Sequence, residues 1–236
     1  MMRTHRLRGV LTLVLTRHGL TTRSHPEQHL GQTLDVPLSP EGREQAIALG
    51  ERVAPIAFAR IMSSPMLRAR QTAEAITSAP CATPRPPIET DRRLLEMDYG
   101  AWEGLTYAQI DEHGAAERRR WEANPAELRC PGGESGNDVA TRARGFLVDL
   151  LAGDAPDGPG APTERPVLVV AHSTLNRVLL CVALGIPIGE FRERLVQSQV
   201  NLTAVRWEQG AAADAGRLLL LNDVSHVRRP PQVPWE

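Results

Sequence analysis

The sequence predicts a layered α/β domain: a three-layer sandwich with a mostly parallel central sheet flanked by helices. Two apolar runs, at 10–15 and 167–171, have the continuous Val/Leu character of strands buried on both faces. Each is followed by a segment with helix-start signals, the alternation expected of layered α/β folds. At 236 residues the chain is long enough for one sizeable core with an elaborated insertion.

The elements follow in order. Ser39 is placed to cap a helix and Pro40 suits its first turn. Ala46, Ile47, Leu49, Gly50 and Val53 then supply an apolar face over 43–53. A short apolar strand at 58–62 runs into Ser63-Ser64-Pro65, which opens a second helix at 66–77. Pro80 bars that helix from continuing. A proline-rich passage at 84–87 leads to a short extended piece at Ile88. Residues 106–121 read as a helix whose Arg118, Arg119 and Arg120 form a solvated face. Another helix covers 134–151, after Pro131-Gly132-Gly133. Residues 153–166, rich in Gly, Pro and Asp, read as a flexible loop. The second strong strand follows and then a helix at 174–184. Runs at 200–207 and 217–224 suggest a hairpin. The whole chain, 1–236, is read as one domain, with a helical insertion or cap at roughly 97–133 and an irregular tail at 228–236.

Composition excludes several classes. A net charge of −1 argues against a dedicated nucleic-acid binder, and an aromatic content of 4% against a stacking platform for single strands. No apolar run approaches the roughly 20 residues that span a bilayer. The basic start flows into Arg17-His18 without a small-residue cleavage site, so a cytoplasmic protein is expected. All 27 residues counted as Lys+Arg are arginine. Without lysine, Schiff-base, pyridoxal and Walker-type phosphate chemistries are unavailable. Arginine offers instead a planar fork for phosphate or carboxylate. Cys81, Cys130 and Cys181 are far apart and form no CxxC pair, which supports neither a disulfide framework nor a thiolate metal site.

The chemistry concentrates where the strong strands end. Ligands of open α/β sheets sit at the carboxyl ends of strands. The first strand ends in Arg17-His18-Gly19, with the glycine expected to let backbone approach a ligand. The second ends on His172. If the strands are parallel neighbours, both imidazoles face one crevice. Arg68 lies in the first turns of the second helix, where the helix terminus and a guanidinium fork both favour anions. His25 and His29 have a metal-like spacing, but Pro26 lies between them and no third ligand is evident. They are read as a loop near the mouth, with Arg23. Tyr99 and Trp102 are read as packing residues. His5, His113 and His226 carry no signal.

These residues resemble the histidine phosphatase superfamily, the phosphoglycerate-mutase-like proteins. The resemblance rests on Arg17-His18-Gly19 with Thr21, on the segments 37–46 and 63–73, and on Leu95-Glu96, Gly100 and Trp102-Glu103-Gly104. It continues through Pro131-Gly132-Gly133-Glu134-Ser135 and His172 with Arg177. It implies a metal-independent, cofactor-free phosphomonoesterase acting on a small phosphorylated metabolite. His18 would be the nucleophile that forms a phosphohistidine. Arg17, Arg68 and His172 would surround the phosphoryl oxygens, and Glu96 would protonate the leaving oxygen and then activate water. Leu20, Ser24 and Ser173 depart from the family pattern. Leu20 and Ser173 are expected to shape the substrate pocket, with Ser24 donating to phosphate and Thr21 and Arg23 alongside. A cofactor-dependent phosphoglycerate mutase is the alternative. A non-catalytic binding module on the same fold ranks below it, because His18, Arg17, Arg68, Glu96 and His172 are all present. Neither nucleic acid nor membrane is an expected partner, and a homodimer is left open.

Overall fold

The computed structural model describes residues 10–153 and 164–227. Strands β1 (Val10–Arg17), β2 (Arg60–Ser63), β3 (Ile88–Thr90), β4 (Glu164–Ala171), β5 (Leu202–Trp207) and β6 (Arg217–Asp223) form one sheet in the order β3-β2-β4-β1-β5-β6. The first four strands run parallel; β5 runs antiparallel to β1, and β6 to β5. The sheet is therefore mostly parallel, with the expected hairpin at one edge.

Helices α1 (Pro40–Arg52) and α2 (Leu67–Ser78) cover one face, and α4 (Gly136–Ala152) and α5 (Ser173–Leu184) the other. Alternation along the strands makes the two cores. Leu11, Leu13, Leu15, Val167 and Val169 enter the α4/α5 core, whereas Val14, Leu168 and Val170 enter the α1/α2 core. In the segment expected as a cap, α3 (Tyr107–Ala123) buries Ile110 and Trp121 in the α4/α5 core.

Local signals place most helix starts. The Ser39 hydroxyl accepts from the Gly42 N–H at 3.0 Å, and Thr106 and Ser135 each form a capping box. Three expectations change. Ile47 is 44% exposed, so it is not part of the buried face of α1. β4 begins at Glu164, because pairing with the full length of β1 draws in residues assigned to a loop. Arg118 is not on a solvated face: it binds Asp111 at 2.6 Å and Glu122 at 2.7 Å. The short helix α6 (Phe191–Arg194) was not expected at all; it buries Phe191 beside α5. The rest of the expected loop, 154–163, and the tail at 228–236 lie outside the described residues.

Gly19 has a different task from the one expected. A Cβ there would lie 2.4 Å from the Gly42 carbonyl oxygen, and a Cβ on Gly42 would lie 1.9 Å from that of Leu20. The two glycines let the loop after β1 rest directly on the start of α1. Backbone cannot yield as a side-chain tip can, so Gly19→Ala should cost about 1–3 kcal/mol. A fall in the urea midpoint at unchanged slope is the expected reading.

Candidate active site

β1 and β4 are neighbours in register, with Arg17 opposite Ala171. The following residues are therefore brought together at the carboxyl edge of the sheet. The His18 N–H donates to the Ala171 carbonyl at 3.0 Å. The His18 and His172 rings meet edge to face, with centroids 5.3 Å apart. The condition set by the sequence, parallel neighbouring strands, is met.

His18 is oriented by its own backbone. Its Nδ1 lies 2.7 Å from the Gly19 carbonyl oxygen, which can only accept. Nδ1 therefore carries the proton, and Nε2 keeps its lone pair. Burial, then the charges of Arg68 and Arg17, hold the His18 pKa well below its ordinary value. The same burial and Arg68 depress His172. His172 is fully buried against His18 and does not itself line the cleft; its Nε2 sits 2.8 Å from the Ser64 hydroxyl.

Arg68 is fully buried on α2. Its two terminal nitrogens donate to the carbonyls of Leu34 at 2.9 Å and Gly31 at 2.8 Å. Arg17 donates to the Gln197 carbonyl at 3.2 Å and pairs with Glu27 at 3.1 Å. Among the described residues, nine buried side-chain atoms lack a protein partner, and three of them, the Nε atoms of Arg17, Arg68 and Arg177, belong to residues that line the cleft. Unsatisfied buried polar atoms are uncommon, and a group of them around one cleft marks a place where a ligand supplies the missing bonds.

Glu96 lies in the same cleft, 6% exposed. Its carboxylate accepts from the N–H groups of Met97 at 2.8 Å, Leu175 at 3.0 Å and Thr174 at 3.2 Å. Two of these donors belong to the first turn of α5, directly after His172. One helix start thus fixes both the second histidine and the carboxylate.

Several motif residues prove to be supports. Arg142 donates to the carbonyls of Arg93, Leu95 and Glu96 at 2.6–3.0 Å, and Glu134 binds Arg142 through both oxygens. That pair holds the strand of chain that carries Glu96. Glu103 accepts from the N–H groups of Gln32 and Thr33, each at 2.8 Å. It thereby fixes the loop whose carbonyls grip Arg68.

The cleft is open to solvent, and its lining includes Arg17, His18, Arg23, Ser24, Arg68, Glu96 and Ser173. Leu20 and Thr21 are not in it. Leu20 is 7% exposed and sits over α1, with its carbonyl accepting from Ser39. Thr21 turns inward to the Ser24 hydroxyl at 3.1 Å. The close approach of Gly19 to Gly42 puts the next two residues against α1 rather than toward the opening.

His29, read as part of a loop near the mouth, lines the cleft, and so do Tyr99, Tyr107, Arg177 and Arg192, which were not assigned to it. His29 stacks 4.3 Å from the Tyr99 ring and 4.8 Å from that of Tyr107. Only Arg177 carried a signal, as the arginine after His172 in the resemblance. Burial and then Arg192 lower the His29 pKa to about 4. Between pH 6.5 and about 4 the unfolded chain binds a proton that folded His29 refuses. Stability is therefore intact above pH 6.5 and falls as pH drops through that window, by about 3 kcal/mol for the whole shift. His29→Gln should flatten this part of a plot of melting temperature against pH; an unchanged slope would refute the assignment.

A neutral imidazole among guanidinium groups suits the movement of a phosphoryl group, and the protein is a phosphoric monoester hydrolase by class. It belongs to the histidine phosphatase superfamily (branch 1), whose profile matches residues 13–223. The chain is 37% identical to a glucosyl-3-phosphoglycerate phosphatase of Mycolicibacterium vanbaalenii over 182 residues, 77% of this chain and 78% of that protein. It is 30% identical to a probable phosphoglycerate mutase, GpmB, of Salmonella choleraesuis, over 94% of this chain and 97% of that protein. The solved structure of a mycobacterial glucosyl-3-phosphoglycerate phosphatase superposes with a TM-score of 0.77 at 31% identity, covering 90% of this chain and 99% of that one. Among the described residues no helix is long and apolar enough to cross a membrane, and no three His, Cys, Asp or Glu residues group as metal ligands.

Proposed function

We propose that this chain is a metal-independent phosphomonoesterase working through a phosphohistidine at His18. The observation that carries the reading is the Nδ1–H bond to Gly19, which leaves Nε2 as a free lone pair beside two arginines. Nε2 attacks phosphorus while the ester P–O bond breaks. Glu96 gives its proton to the leaving oxygen, then takes one from the water that attacks phosphorus as the N–P bond breaks, which frees phosphate and restores His18. Arg17 and Arg68, with His172 behind, stabilise charge on the phosphoryl oxygens. One catalytic domain spans the chain, with residues 97–133 as its cap. Its partners are a small phosphorylated metabolite and a second copy of the chain, and it acts in the cytoplasm.

The substrate carries a second negative charge. Arg177 has no carboxylate partner among the described residues, although it is largely buried and faces the cleft. A buried cation left unpaired is costly, which favours a partner that arrives with the substrate. Glucosyl-3-phosphoglycerate, named by the relatives, bears a carboxylate as well as a phosphate and heads the panel to assay. Arg177→Gln should raise KM for carboxylate-bearing phosphates about tenfold or more. Simple alkyl phosphates should be nearly unaffected; equal effects on both would remove Arg177 from recognition.

The GpmB relative keeps mutase activity as the second reading. 3-Phosphoglycerate with and without 2,3-bisphosphoglycerate separates the two. Isomerisation that outpaces phosphate release would favour the mutase.

A further inference from the structure

We propose that His29 reads the leaving group, and that it selects phosphate esters of hydroxylated alcohols such as polyols and sugars. This deepens the phosphomonoesterase reading above and rests on it. His29 lines the cleft, half-buried. Its imidazole takes no hydrogen bond among the described residues, and neither ring nitrogen is sealed from solvent. Packing holds the ring instead. It stands between Tyr99 and Tyr107, with centroids 4.3 Å and 4.8 Å away. Its backbone is fixed as well: the N–H donates to the Leu105 carbonyl at 3.1 Å, and the carbonyl accepts from the Gly104 N–H at 2.7 Å. Gly31, two residues on, is one of the carbonyls that grip Arg68. A short, anchored stretch of chain thus ties this histidine to the phosphate-binding arginine. A polar group held in place without a protein partner costs little to order when a ligand arrives.

Its place says which part of the substrate it meets. The Tyr99 hydroxyl lies 2.7 Å from that of Thr174, whose N–H donates to the Glu96 carboxylate. His29, stacked on Tyr99, is therefore on the Glu96 side of the cleft. Glu96 protonates the leaving oxygen, so the alcohol part of the ester lies on that side too. The chemistry of the ring says what it recognises there. Burial and then Arg192 hold its pKa down at about 4, so the imidazole is neutral at ordinary pH. A neutral imidazole offers one N–H donor and one lone pair. A hydroxyl offers the same pair of functions, and the two match. A carboxylate only accepts, and Arg177 in the same cleft suits it better.

Two substitutions separate the polar role from the packing. His29→Phe keeps a ring between Tyr99 and Tyr107 and removes both nitrogens. His29→Gln restores a donor and an acceptor. The probes are glycerol-3-phosphate and propyl phosphate, which share a carbon chain and differ in hydroxyls. Neither bears a carboxylate, so Arg177 does not enter. The wild-type chain should favour the glycerol ester in kcat/KM by about 3- to 10-fold. His29→Phe should bring the two esters to within about twofold of each other, mainly by slowing the glycerol ester. His29→Gln should recover part of the preference. Equal losses on both esters, or a wild type without preference, overturn this inference and leave the phosphomonoesterase standing. A wild type that releases phosphate from neither ester overturns both.

Discussion

His18→Ala abolishes phosphate release, lowering kcat by about 10³-fold or more, as expected when a covalent route loses its nucleophile. Among the described residues, the only polar bond of the His18 side chain is the one to the carbonyl of Gly19. The fold therefore survives the substitution, and a near-normal melting profile is the control. Rapid quench with labelled substrate adds the decisive reading. Wild-type protein should carry an acid-labile phosphoryl group, and His18→Ala should carry none. His172→Ala should still be labelled, more slowly, because His172 lies behind His18 and off the cleft surface. A His18→Ala protein that labels normally would remove the nucleophile assignment.

Glu96→Gln should act through the leaving group. With an alkyl phosphate, whose alkoxide leaves poorly without a proton, the rate should fall about 10²–10⁴-fold. With an activated aryl phosphate, which departs as a stable anion, the first step should change far less. Glutamine keeps an oxygen for the N–H groups of Met97 and Leu175 that now hold the carboxylate. The comparison thus removes the proton donor more than it disturbs the loop. Equal losses for both substrates would mean that Glu96 positions the site and does not transfer the proton.

The two substitutions test the features that were most legible in the sequence. The His18 and His172 strands are apolar runs, and short-range pattern suffices to recognise them. The cap at Ser39 is local too. Arg17 and Arg68 were legible as residue types at a strand end and a helix start, where the chemistry needs them, and Glu96 only through the resemblance. By contrast, Leu20 was expected in the pocket because it departs from the family pattern, but it lies against α1. His29 reads as a loop histidine, yet is held between Tyr99 and Tyr107, some 70 residues or more away in the chain.

By itself, the sequence determined the reaction class. It supplied two histidines at strand ends, arginine as the sole strong cation and a carboxylate in the family's order, all readable within a few residues. Only the tertiary structure decided which neighbours each group keeps. It set the Gly19 carbonyl on His18 Nδ1, the turn of α5 on Glu96, and Glu134 on Arg142. It also left Arg177 facing the cleft without an ion pair among the described residues. The reason is physical: periodicity and capping act over a few residues, whereas these contacts depend on the order of strands in the sheet. Arg17 and Ala171 are adjacent because β1 and β4 are, and nothing local to either strand specifies that.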